Sequence, residues 1–141
     1  PDDIAIGHLE SKVTPDELKE IRLNNQPPVR GEILTMLSLH HANNCRRNPT
    51  AVITAGNFTL SSIRPFLTYQ DALSIKPQSD EEVCYGDSGA PLLRMHRDQD
   101  VLVGVLSYYR PGFMQTIINS VSSHYARLKG LIEWSESGGP E

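Results

Sequence analysis

The stretch Cys84-Tyr85-Gly86-Asp87-Ser88-Gly89-Ala90-Pro91 sets a serine between two glycines and ends in a proline. A neutral hydroxyl is a poor nucleophile, so a reactive serine needs a fixed backbone and polarising surroundings. Gly86 and Gly89 permit backbone angles that a side chain forbids. With no side chain at Gly86, its N–H and that of Ser88 can converge on one point. Two such donors form a hole for the oxyanion of a tetrahedral intermediate, each worth about 3 kcal/mol. Pro91 opens the apolar run Pro91-Leu92-Leu93, which reads as the first residues of a strand. Taken alone, the same residues also fit a glycine-rich hairpin turn with an incidental serine.

The rest of the chain decides between these. Gly86-Asp87-Ser88-Gly89-Ala90-Pro91-Leu92 resembles the nucleophile motif Gly-Asp-Ser-Gly-Gly-Pro-Leu of trypsin-like (chymotrypsin-fold) serine proteases, with Ala90 in place of the second glycine. Asp3-Ile4-Ala5-Ile6-Gly7-His8-Leu9 is similar to the segment carrying that family's catalytic aspartate. Val101 to Tyr108 resembles the strand beside the substrate, and Tyr125-Ala126-Arg127-Leu128 with Trp134 resembles the closing strand and last helix. The four matches keep the family's order and run from Asp3 to Trp134. Asp71 to Cys84 also keeps the family's spacing of thirteen, although Ile75 stands where a cysteine is usual.

At 141 residues, with 38% hydrophobic and 21% charged side chains, the chain suits one globular domain with a real core. A net charge of -4 and the lack of a basic stripe argue against a nucleic-acid partner. No apolar run reaches the length of a membrane span. The resemblance implies an all-β fold: the second, six-stranded antiparallel barrel of a double barrel, a C-terminal helix and one strand of the first barrel. Residues 1–29 would then be the end of the first barrel and the linker, 30–136 the second barrel with its helix, and 137–141 a frayed tail.

Along the chain, Ile4, Ile6 and Leu9 alternate as in a buried strand. Thr14-Pro15-Asp16-Glu17 is a helix-start signature, predicting a helical turn within 14–23, although the family has an extended linker there. Gly31 to Leu39 and Thr50 to Ala55 read as strands, and Gly56 to Pro65 as a turn with more extended chain after it. Arg94 to Asp100 separates two apolar runs as a hairpin does, and Val101 to Ser107 reads as a central strand. Arg110-Pro111-Gly112 turns the chain into a loop reaching about Ser122. Helical spacing begins at Tyr125, but the resemblance puts a strand over Tyr125–Leu128 and starts the helix near Lys129; the family reading is adopted.

The resemblance assigns roles by position. Ser88 is the nucleophile, and the N–H groups of Gly86 and Ser88 form the oxyanion hole. Asp3, rather than its neighbour Asp2, orients the catalytic histidine and stabilises its imidazolium. Asp87 is the buried acid that in this family receives a new N-terminal ammonium, and an unpaired buried carboxylate costs several kcal/mol. Glu82, Ser107, Tyr108, Tyr109 and Ser123 line the substrate site, with Glu82 at the pocket floor favouring a basic side chain and Tyr109 able to cap or fill the pocket.

No histidine precedes Asp3, so the general base is expected from the N-terminal chain of a nicked precursor. A pseudoprotease that binds peptides is the alternative. A serine esterase ranks lower, since Ser88 leads into a strand and not the strand-to-helix elbow of Gly-x-Ser-x-Gly. No cofactor or metal is implied: His40 and His41 point to opposite sides of an extended chain, with only Cys45 near. Cys45 and Cys84 lack the family's usual partners. Two reduced thiols lean toward a reducing intracellular compartment, while a Cys45–Cys84 bridge or a partner in another chain stays open, with secretion the alternative location.

Overall fold

Apolar residues at every second position give a strand one buried face, and Leu34 with Met36, Phe58 with Leu60, and Leu73 with Ile75 follow that rule. The computed structural model describes residues 3–14, 16, 20–38, 53–66, 69–78, 83–84, 86–96, 99–110 and 115–139, with the backbone alone at 65–66, 69–71, 108–110, 115, 117 and 119. Among these residues the elements are β1 (Arg22–Leu23), β2 (Ile33–Ser38), β3 (Thr54–Phe66), β4 (Tyr69–Pro77), β5 (Pro91–Arg94), β6 (Val101–Arg110), β7 (Gln115–Ser120), a 3-10 turn (Ser122–His124) and α1 (Tyr125–Glu136). The fold is mostly β with one C-terminal helix, as the sequence implied.

The antiparallel pairings run in a cycle, β2 to β3, β4, β7, β6, β5 and back to β2. Short β1 joins the outside of β6 in parallel, with Arg22 opposite Val101 and Leu23 opposite Leu102. Bulges bend a sheet, and the described pairings hold four register shifts, one of them between Arg64 and Phe66 of β3. Ser61 is the extra residue of β3 against β4, and its hydroxyl donates to the Ser74 carbonyl at 2.9 Å. On β6, Val103 is extra against β5 and Ser107 is extra against β7. The core inside the cycle draws on every long strand: Leu34, Met36, Phe58, Leu60, Leu73, Ile75, Leu92, Val103, Leu106 and Ile118 pack with Val83. Truncating a side chain of this kind, such as the fully buried Leu60, to alanine costs about 2–5 kcal/mol.

Several expectations are corrected. Residues 3–9 form no strand; Ile6 and Leu9 are exposed, and Ile4, Ile6 and His8 instead face Leu131 and Trp134 of α1 across a hollow of about 270 Å³. Alternation marks residues able to pair, but pairing needs a neighbouring edge. The described part of 14–23 contains no helix: Asp16 lies in a turn, and Arg22 and Leu23 take the free edge of β6. Gly56 and Asn57 sit inside β3, where the pairings with Met36 and Thr35 override their turn preference. The loop expected up to Ser122 contains β7. Because β7 completes the cycle, no strand is needed at Tyr125–Leu128, and the helical spacing prevails, burying Leu128. Residues 137–139 cap the helix instead of fraying: Ser137 N–H donates to the Glu133 carbonyl at 3.0 Å and Gly139 N–H to that of Trp134 at 3.1 Å. Cys84 is disulfide-bonded, which overturns the reading of two reduced thiols. Cys45, like His40 and His41, lies outside the described residues.

Beside β1, a polar network ties Asn24 and Glu32 to Arg94 of β5. The Arg94 guanidinium grips both oxygens of Glu32 and donates to Asn24 Oδ1 at 3.1 Å. Asn24 is buried, and its side chain also accepts from Gln26 N–H. Hydrogen bonding from Arg94 holds the Glu32 carboxyl below its ordinary value of 4.5, against the opposing effect of burial. Val29 N–H and the nearby positive charges of Arg94 and His96 add to the lowering. A depressed folded value means that Glu32 stabilises the fold fully above about pH 4.5, and that this contribution is lost as pH falls through the folded value. Urea unfolding of Glu32→Gln should therefore lose stability at neutral pH, while the gap to wild type narrows as pH falls below the ordinary value of 4.5. A constant gap over that range would remove Glu32 from the acid response.

Candidate active site

The tight turn before β5 carries the serine. Gly86 and Gly89 have φ of +99° and +86°, left-handed values that glycine alone takes readily. Nothing lies within 4 Å of a Cβ added at Gly89, so the backbone angle, and not space, selects glycine there. Asp87 N–H donates to the Cys84 carbonyl at 3.1 Å and Ala90 N–H to the Asp87 carbonyl at 2.8 Å. Asp87 N–H thus turns inward, while the N–H groups on either side of it, at Gly86 and Ser88, donate to no protein acceptor among the described residues. These are the two donors assigned from the sequence to the oxyanion hole. Ser88 itself is exposed, with its hydroxyl likewise unengaged among the described residues.

Under the turn sits Asp87, with 4% of its surface exposed. A carboxylate so buried must be hydrogen-bonded. Its Oδ2 accepts from Cys84 N–H at 2.8 Å, and its Oδ1 accepts from the Ser38 hydroxyl at 2.5 Å. Sequence reasoning looked only for a cationic partner and missed Ser38. No local pattern announces it, because the two residues are 49 apart in sequence.

Strand β6 assembles the rest. Gly89 N–H donates to the Leu106 carbonyl at 2.8 Å, and Leu106 N–H donates to the Ala90 carbonyl at 3.0 Å. This two-way clasp fixes the serine turn to one residue of β6. The next residue, Ser107, is the bulge residue, and bulges re-aim side chains. Its hydroxyl donates to Asp3 Oδ2 at 2.5 Å. Asp3 has φ +46°, an uncommon left-handed conformation that aspartate tolerates better than most residues. Successive residues of β6 thus hold the serine turn and the aspartate.

Glu82 lies outside the described residues, and for Tyr108 and Tyr109 only the backbone is described, paired with Ile117 and Thr116. Ser123 falls on the 3-10 turn. Its place in a pocket wall depended on a strand at Tyr125–Leu128, so that register is corrected with the strand. The signal for the true last strand was the β-branched run Thr116-Ile117-Ile118.

Of the described histidines, His8 bonds Ser135 Oγ at 2.5 Å, His96 lies near Glu32, and His124 lines the hollow beside α1. None of the three hydrogen-bonds Ser88 or Asp3. Among the described residues no group of three or more His, Cys, Asp or Glu could hold a metal ion. No helix there is long and apolar enough to cross a membrane.

No family model and no curated protein matches the sequence. Solved structures do. Two scabies mite inactivated protease paralogues superpose with TM-scores of 0.65 and 0.67, each at 19% identity, over 83% and 92% of this chain. The NS6 protease from murine norovirus 1 superposes with a TM-score of 0.58 at 14% identity over 90% of this chain and 72% of its own. This chain has the chymotrypsin fold. It spans 54% and 58% of the two mite proteins, little more than half of that fold as they display it. In the chymotrypsin fold of this chain, the Ser88 turn and Asp3, far apart in sequence, come to adjacent residues of one strand.

Proposed function

We propose that this chain is the aspartate- and serine-bearing portion of a serine endopeptidase. The observation that carries the reading is the convergence on β6, where Leu106 clasps the Ser88 turn and Ser107 holds Asp3. In this reading Ser88 Oγ attacks the scissile carbonyl and gives its proton to a histidine supplied by an N-terminal chain of the same precursor. Asp3 accepts that histidine's N–H, fixes its tautomer and stabilises the imidazolium. The Gly86 and Ser88 N–H groups receive the oxyanion. The imidazolium then protonates the leaving amine, and water, deprotonated by the same histidine, hydrolyses the acyl-enzyme on Ser88.

Glu82, six residues before the nucleophile, is the proposed determinant of a preference for basic side chains. Losing one member of a buried charge pair costs about 2–5 kcal/mol. Glu82→Gln in the assembled enzyme is therefore expected to depress cleavage after arginine selectively in a peptide-library profile, sparing neutral sites. An unchanged arginine preference would take Glu82 out of the pocket.

A second reading has an observation in its favour: two of the similar structures are inactivated proteins. A protease-like module that binds peptides without cutting them fits that. Fluorophosphonate labelling separates the two. The chain should react only when combined with the upstream segment of its precursor. Peptide hydrolysis by the 141-residue chain unaided would sink the two-chain scheme. Failure of the combined segments to label at all would favour the binding module.

A further inference from the structure

Besides the clasp on Leu106, Asp87 ties down the serine turn in two ways among the described residues. One is local, since Cys84 N–H to Asp87 Oδ2 and Asp87 N–H to the Cys84 carbonyl close a loop within four residues. The other comes from the neighbouring strand, from the Ser38 hydroxyl at the end of β2 to Asp87 Oδ1 at 2.5 Å. Ser38 is itself steadied by its backbone pairing with Thr54, whose hydroxyl donates to the Ser38 carbonyl at 3.3 Å. A carboxylate with both oxygens engaged from two directions cannot rotate freely. The backbone of Asp87 lies between the two N–H groups of the proposed oxyanion hole, so anchoring its carboxylate restrains the main chain that carries both.

We infer that Ser38 is a positioning residue for Ser88: through Asp87 it holds the turn in which the Gly86 and Ser88 N–H groups face outward together. This rests on the endopeptidase reading for its catalytic consequence, though not for its structural one. Ser38 touches no substrate. It acts by fixing the carboxylate beneath the nucleophile, and its hydroxyl supplies a neutral donor to the buried acid.

Two measurements on Ser38→Ala and Ser38→Thr test it. In the chain by itself, hydrogen exchange of the Cys84 amide reports the Asp87 carboxylate directly. Ser38→Ala should speed that exchange about tenfold or more, since a hydrogen bond to a charged group is lost, while amides of β5 and β6 keep their protection. Ser38→Thr, which keeps the hydroxyl, should restore it. Unchanged Cys84 exchange in a folded Ser38→Ala chain overturns the inference whatever the protein's activity. In the assembly with the upstream segment, Ser38→Ala should lower kcat about 10- to 100-fold with KM little changed, again restored by threonine. Wild-type kcat in Ser38→Ala also overturns it. If the wild-type assembly neither labels nor turns over, the endopeptidase reading fails, and the exchange result alone decides whether Ser38 fixes the turn.

Discussion

Ser88→Ala is expected to abolish fluorophosphonate labelling of the assembled protein and to lower its peptidase activity about 10⁶-fold, toward the residual rate that an oxyanion hole and binding alone provide. The size of the effect follows from what is removed and what stays. One hydroxyl disappears, and with it the acyl-enzyme route. The turn keeps its shape, because the left-handed glycines at 86 and 89, the Asp87 bonds and the clasp on Leu106 do not involve the Ser88 side chain. Ser88 is exposed, so its truncation leaves no cavity, and surface changes of this kind stay within about 0.5 kcal/mol. Intact-mass analysis after labelling, beside a thermal melt, checks both halves. Labelling that survives in Ser88→Ala would place the nucleophile elsewhere.

Asp3→Asn should cost about 10⁴-fold in kcat, the penalty of holding the histidine of such a triad in the wrong tautomer. The Ser107 hydroxyl, which donates to Asp3 Oδ2 at 2.5 Å, can donate equally to an asparagine carbonyl oxygen. The segment should therefore stay in place. What changes is the other terminal atom: an amide donates where a carboxylate accepted, so the imidazole must present a lone pair to it and its proton to Ser88. A histidine in that form cannot take the serine proton. Pre-steady-state labelling by a fluorophosphonate should slow in parallel with kcat. A loss below about tenfold would mean that Asp3 does not orient the base, and the site would then lack the acid its geometry suggests.

The serine turn was legible because its reasons are local. Glycines at 86 and 89 are demanded by φ, and a strand-starting proline follows. The aspartate segment was legible by resemblance, but its structure was not. Ile4, Ile6 and Leu9 declare what they can cover without declaring whose edge lies beside them, and in this chain Ile4 and Ile6 face a helix across a hollow while Leu9 is exposed. Gly56 and Asn57 looked like a break because propensity counts single residues, whereas β2 supplies a partner for each. At the C-terminal end the sequence held the answer twice, in the β-branched run of β7 and in the helical spacing from Tyr125, and the resemblance was allowed to outweigh both. Ser38 and the Ser107 bulge lay beyond reach for another reason. A register shift leaves no compositional trace, and a bond between residues 49 apart exists only once the barrel is wound.

The clasp at Leu106 and the bulge at Ser107 have a mechanical corollary. The two halves of the site are hung from neighbouring links of one chain, so any slide, tilt or breathing of β6 displaces them together and cancels in their separation. Only a pucker between those two links changes the gap. Thermal agitation of the barrel as a whole is thereby common-mode, while distortion confined to one link is differential. A molecule that wished to silence such a site without unfolding it would have one short place to press.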